Sequence, residues 1–241
     1  GKKVRTIGMY DGFAKRFFYS MWNRMTHTPP LPQEFGYQPR KSREEPIMQQ
    51  LVVTWRLMKA RIYHLNVFYD ARNAFFCNSK DHLQTTLAAE SSSDSWAAPL
   101  FQDLVKNASL QFGEEVPPDS KGPNPDPITM QFDEGMPPGH TISAQAFGAN
   151  TRPLYNEWIT AYDDLNLWAQ SNVPGLEDML IDVSTSIFAD DLARKIPFEN
   201  LHDAGLSMAR AHYELARVDR DLRDTLARKG YVMNSDKKVV V

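Results

Sequence analysis

Ser184–Lys195, STSIFADDLARK, is the stretch on which the reading of this chain turns. An apolar run ends in the carboxylate pair Asp190-Asp191 and a second run follows, which reads as a hairpin with charge at its tip. Leu65–Phe76, LNVFYDARNAFF, has the same character. Leu65, Val67 and Tyr69 alternate with Asn66, Phe68 and Asp70, as in a strand that ends in a carboxylate. Uncompensated carboxylates at the tips of apolar strands are costly, because like charges repel and low-dielectric surroundings penalise ionisation. A divalent cation with oxygen ligands relieves that cost. Singly, each Asp also suits a plain turn or cap role. The order of the segments around the three decides between these readings.

The chain has 241 residues, a net charge of −3 and 42% hydrophobic content, which suits one large folded domain or one and a half small ones. No stretch approaches the ~20 apolar residues of a membrane span. No signal peptide is visible, and the opening GKKVRTIGMYDG without Met reads as an excerpt from a longer polypeptide. The expected setting is therefore intracellular, in nucleus or cytoplasm, rather than secreted. The single Cys77 excludes an intrachain disulfide and any Cys-rich zinc site. Basic residues crowd the first sixty positions and acidic residues dominate later. The overall balance argues against an obvious nucleic-acid glove; a basic portion facing an acidic metal site would suit a polymerase, but solvated surface charge is the simpler explanation, and composition alone does not decide between them.

Along the chain, the patterns predict a strand at 3–8 and helices over 9–25 and 44–63, the second opening on Glu44, Glu45 and Pro46. A strand at 65–70 follows, then helices over 79–90 and 97–107. Two strands flank the irregular VPPDSKGPNPDP, and a long helix spans roughly 143–171. The Asp190-Asp191 hairpin precedes a charged helix over 199–229 with an apolar stripe. A strand at 231–241 closes the chain. The layout is α+β, with helices on one side of a largely antiparallel sheet.

Six segments carry a resemblance to a known family. These are RTIGMYDGFAKRFFYSMWNRM (Arg5, Ile7, Lys15, Arg24), EFGYQPRKS, DARNAFF (Asp70, Ala74, Phe75), GMPPGHTISAQAF (Gly135, Pro137, Gly139, Ser143, Phe147), FADD, and KGYVMNSDKKVVV (Gly230, Asn234, Lys237). In this order they resemble the fingers and palm blocks of reverse transcriptases, nearest to the non-LTR retrotransposon (LINE-type) and group II intron branch. The resemblance implies a polymerase palm, a ferredoxin-like antiparallel sheet with helices on one face, plus partial fingers. Residues 1–62 would be fingers and their connection, and 63–241 the palm, with the thumb absent.

The implied activity is RNA-directed DNA synthesis by two-metal nucleotidyl transfer to a primer 3′-hydroxyl. The implied partners are an RNA template, a DNA primer, a dNTP and the remainder of a longer polypeptide with a thumb and an endonuclease region, with no membrane. The implied cofactor is two Mg²⁺, for which Mn²⁺ could substitute. Asp70, Asp190 and Asp191 would be catalytic and would hold metal with Ala71 beside them; Asp191 would be the supporting ligand. Lys237 would act as general acid toward pyrophosphate. Arg5, Asn73, Ala74, Phe75 and Gly139 would line the nucleotide site, with Phe75 as steric gate and Arg5 on the triphosphate.

The chain also departs from the family. Pro138 stands where the family has Gln, Asn73 where it has Lys, and Phe76 where it has Asp. These changes support a second reading, a non-catalytic domesticated palm that serves as an RNA-binding or assembly module. A third, a metal-dependent cyclase on a similar palm, leaves the Arg5, GMPPG and Lys237 segments unexplained.

Overall fold

The computed structural model describes residues 12–25, 27–72, 74, 79–90, 96–107, 109–112, 128–131, 134–136, 142–170, 178–198 and 204–241. The chain forms two compact units, each assembled from two sequence segments: 1–27 with 75–147, and 28–74 with 148–241.

In the first unit, α1 (Gly12–Trp22), α3 (Lys80–Glu90) and α4 (Ala97–Lys106) bury one cluster, built on Met21, Trp22, Leu83, Leu87, Phe101 and Val105. Apolar residues three and four apart on each helix create the buried stripes. Trp22 meets Phe101 edge-to-face at 5.7 Å. His27 stacks on Trp22 at 4.5 Å, and its ring nitrogens reach the Trp22 carbonyl at 2.6 Å and the buried Glu90 carboxylate at 3.0 Å. The short strands β2 (Ser109–Phe112) and β3 (Ile128–Gln131) pair antiparallel, as the sequence predicts. The strand expected at 3–8 lies outside the described residues.

The second unit carries the main sheet. β1 (Tyr63–Arg72) pairs antiparallel with β7 (Asp191–Phe198) over eight residue pairs, and β7 pairs with β6 (Thr185–Phe188). On its other side β1 pairs with β8 (Val232–Met233) and β9 (Val239–Val240), giving the order β6-β7-β1-β8 with β9 also on β1. Alternation places Val67, Tyr69 and Ala71 of β1 and Leu192, Arg194 and Ile196 of β7 on the buried face. There Tyr69 meets Trp158 of α5 (Ser143–Ala161) edge-to-face at 6.4 Å, and Trp158 donates from Nε1 to the Val218 carbonyl of α6 (Ala204–Ala227) at 3.2 Å. The expected α+β palm architecture is what the chain adopts.

α2 (Glu44–Lys59) is held to the sheet by amides. Gln49 Nε2 donates to the Val183 and Thr185 carbonyls at 3.2 and 3.1 Å, and Gln50 Nε2 donates to Ser186 Oγ at 2.7 Å.

Three expectations need correction. The helix expected over 143–171 ends at Ala161, because Asn166 Nδ2 caps the Ile159 carbonyl at 3.2 Å. Residues Trp168–Gln170 then form β4, paired with β5 (Leu180–Asp182). The run before the Asp pair is broken too: Asp182 Oδ1 accepts from Ser184 N at 2.9 Å and from Ser184 Oγ at 2.6 Å, a local turn that separates β5 from β6. The closing strand at 231–241 is interrupted by a 3₁₀ turn at Ser235–Lys237. Among the described residues no helix is long and apolar enough to cross a membrane.

One buried ion pair anchors the segment that leads into α2. Arg152 Nε and Nη2 donate to the two Glu34 oxygens at 2.8 and 3.1 Å, and Nη1 donates to the Thr28 carbonyl at 2.7 Å. Both side chains are about nine-tenths buried. Replacing Glu34 by Ala strands the guanidinium and should cost about 3–5 kcal/mol. Thermal unfolding should fall by roughly 10 °C or more. A loss under about 2 °C would show that the pair contributes little.

Candidate active site at the sheet tip

The β1–β7 register sets Asp70 directly opposite Asp191, and Asp190 occupies the two-residue turn just before it. Directly opposed residues of an antiparallel pair have Cα atoms about 4.5–5.5 Å apart, so the carboxylates share one small volume. Both Asp70 and Asp191 lie on the sheet face opposite Tyr69 and Leu192. The turn itself is tight, with Ala189 at φ 57°. It is braced from outside: Phe35 N donates to the Ile187 carbonyl at 2.8 Å, and Ile187 N donates to the Gln33 carbonyl at 2.8 Å.

The carboxyls repel one another. Burial holds Asp190 above the usual carboxylate range, and the charges of Asp191 and Asp70 push it further; Lys237 partly offsets this. Burial also raises Asp191, with Asp70 adding to the effect and Lys237 opposing it. Beneath them the Tyr155 phenol is pushed up, first by burial and then by Asp190, Glu34 and Asp191, so it stays protonated.

The closing segment supplies the counter-charge. Lys237 Nζ lies 3.0 Å from Asp70 Oδ1 and 2.9 Å from Oδ2. Asn234 clasps the same residue, donating from Nδ2 to Oδ2 at 2.9 Å and from its backbone N to the Asp70 carbonyl at 2.8 Å. That clasp is why the last strand breaks. Lys238 takes the other direction, pairing with Asp219 of α6, which also accepts from the Tyr69 hydroxyl at 2.7 Å. The two neighbouring lysines are thus distinguished by geometry.

The structure therefore brings together Asp70, Asp190, Asp191 and Lys237. Ala71 follows Asp70 on β1 and pairs with Met233, and Ala74 is buried. Arg5, Asn73, Phe75 and Gly139 lie outside the described residues. Tyr155 escaped the sequence reading, and Gly36, although within the EFGYQPRKS segment, carried no signal of what it packs against.

The donor set is all oxygen, and burial together with mutual repulsion raises two of its carboxyls; oxygen donors suit hard divalent cations. Among the described residues no three acidic, His or Cys side chains already converge as a finished metal cage. Asp70 instead holds Lys237.

No protein-family model matches the chain, and no curated protein matches it in sequence. Its structure is similar to that of apo telomerase from Candida tropicalis truncated from the C-terminal domain. The TM-score is 0.53 at 10% identity, covering 95% of this chain and 40% of that one. Apo telomerase from the same organism aligns with a TM-score of 0.47 at 8% identity, covering 95% of this chain and 36% of the other. The chain thus spans about two fifths of the length of these neighbours. The first likeness shows that this chain shares the fold of the matching part of that telomerase.

Exchanging Asp191 for Asn removes the charge opposite Asp70. A carboxyl whose folded pKa is raised favours folding below its ordinary value and loses that contribution as the pH rises through the raised value. Asp191→Asn should therefore stabilise the protein at pH 7 by about 0.5–1 kcal/mol, the scale for like charges directly opposed. That corresponds to a melting temperature roughly 2–3 °C higher. The gain should fade as the pH drops toward 3.8, the ordinary value for Asp. An equal gain at both pH values would mean that charge is not the cause.

Proposed function

We propose that this chain is the palm, with part of the fingers, of an RNA-directed DNA polymerase of retrotransposon type. Residues 63–241 would form the palm and 1–62 the fingers and their connection. The observation that carries the reading is the register of Asp70 against Asp191 with Asp190 in the adjoining turn. A reverse-transcriptase-like fold supports it from an independent direction.

Asp70, Asp190 and Asp191, with Ala71 next to them, are the residues that would hold two Mg²⁺ or Mn²⁺. Bound divalent cations lower the pKa of an attacking hydroxyl and neutralise the triphosphate. In the proposed reaction the primer 3′-hydroxyl gives its proton to water and its oxygen attacks the α-phosphorus of a dNTP; a P–O bond forms, the bond from the α-phosphorus to the bridging oxygen breaks, and pyrophosphate leaves with its electron pair. The three carboxylates alone would repel the triphosphate, so they would gather the reacting groups at the sheet tip only through the cations they hold. Lys237, half exposed and paired with Asp70, would release that carboxylate and give a proton to the departing pyrophosphate. Asn234 keeps β1 in position meanwhile through its backbone bond to the Asp70 carbonyl. The RNA template and DNA primer belong to the same proposal.

One observation favours a second reading, a non-catalytic palm that binds RNA or assists assembly. Lys237 covers both Asp70 oxygens, which a metal would need. The two readings separate in one experiment. With the chain inside its full polypeptide, primer extension on an RNA template with Mg²⁺ should incorporate dNTPs, and Asp190→Asn should reduce this by about 100-fold or more. Incorporation no higher than in that variant removes the polymerase reading. RNA binding that needs no Mg²⁺, without incorporation, selects the second.

A further inference from the structure

α2 has two apolar faces, and the sheet uses only one. Pro46, Val53 and Leu57 form the buried stripe, fixed by the Gln49 and Gln50 amides. On the far side Ile47, Met48, Leu51, Val52, Trp55 and Met58 are all exposed, Leu51 by 60% and Met58 by 67%. At 3.6 residues per turn these six fall within an arc of roughly 140°. A continuous apolar stripe of this kind on a solvent face marks an interaction surface.

The charges on the helix identify what fits. Glu44 and Glu45 stand in its first turn, and Arg56 and Lys59 in its last. Glu44 falls within the apolar arc and Lys59 at its edge, where Lys59 Nζ sits 4.4 Å from the Trp55 ring centroid. The midpoint between Glu44 and Lys59 is also the midpoint between Met48 and Trp55, and it falls between Leu51 and Val52. A second copy of this helix, antiparallel about a twofold axis at that point, gives the central apolar groups and the terminal charges suitable partners, while Ile47 falls opposite Arg56 and Met58 opposite Glu45. Leu51 faces Val52 at the centre, Met48 sulfur meets the Trp55 ring on either side, and Glu44 reaches Lys59 at both ends. Antiparallel helix axes also set opposite dipole ends side by side. A parallel partner would oppose acid to acid and base to base.

We propose that α2 is the seam of an isologous homodimer, two copies of this chain packed antiparallel about a twofold axis between Leu51 and Val52. The seam lies on a different helix from the acidic sheet tip and does not depend on any catalytic reading of that tip.

Sedimentation of the full 241-residue chain over concentrations up to roughly 100 μM tests it. The wild type should form a discrete dimer. Leu51→Glu should weaken dimerisation by about tenfold or more, as expected for a central interface position. Glu44→Lys should also weaken it, and adding Lys59→Glu to the same chain should restore it; unchanged far-UV circular dichroism would show that the helices persist. That reversal keeps the test decisive even if Leu51→Glu fails to fold. A monomer throughout would leave the face to another kind of occupant and overturn the proposal. Open-ended aggregates, or a dimer indifferent to the charge exchange, would overturn it equally.

Discussion

Two cations on neighbouring residues of β7 hold the central sheet in a single register. Arg194 and Lys195 are almost completely buried, and as consecutive strand residues they point to opposite faces. Arg194 lies over the Trp158 ring at 4.5 Å and donates to the Asn166 side-chain oxygen at 3.0 Å, Thr185 Oγ1 at 3.2 Å and the Tyr162 carbonyl at 3.4 Å. Lys195, on the other face, donates to Thr54 Oγ1 at 2.7 Å and to Asn66 Oδ1 at 2.5 Å, and burial pushes its ammonium down to about 8. A slip of one residue would exchange the two faces and leave both charges without these acceptors, which costs several kcal/mol. The same slip would take Asp191 away from Asp70. The acidic tip is therefore positioned by cations farther along the strand.

That arrangement concentrates like charge at one end of the sheet and, among the described residues, answers it with the Lys237 amine. Burial, and after it the neighbouring carboxylates, keep the carboxyls of Asp190 and Asp191 raised despite Lys237. The Lys237 side chain is half exposed, whereas its partner Asp70 is largely covered. The cation can thus leave more readily than the anion it neutralises. Lys238 cannot substitute for it, being tied to Asp219 on α6.

Much of this was legible because strands announce themselves by a period of two. Val67 and Tyr69 alternating with Phe68 and Asp70 marked β1, and the apolar runs on either side of Asp190-Asp191 marked the hairpin. The α6 stripe was equally clear from Val218, Leu222 and Leu226. What stayed hidden depended on partners distant in sequence. Nothing in LARK says that Arg194 and Lys195 are interior residues. Nothing in the Val-rich terminus says that Asn234 will turn in toward Asp70. Asn166 ended α5 early through a side-chain cap on Ile159, which outweighed the helical pattern continuing past it. For Arg5, Asn73, Phe75 and Gly139 the family resemblance carries the whole of the assignment.

Gly36 bears on how this site can change over time. A Cβ there would stand 2.4 Å from the Ala189 nitrogen and 3.0 Å from the Phe188 carbonyl carbon, both backbone atoms of the turn that presents Asp190. No rotamer change can relieve such a clash; the turn itself must move. Charges on the rim can be traded for neutral groups of the same shape with the scaffold left in place. A methyl group at residue 36 cannot be absorbed that way, so the least chemically conspicuous residue near the tip is among the least free to vary.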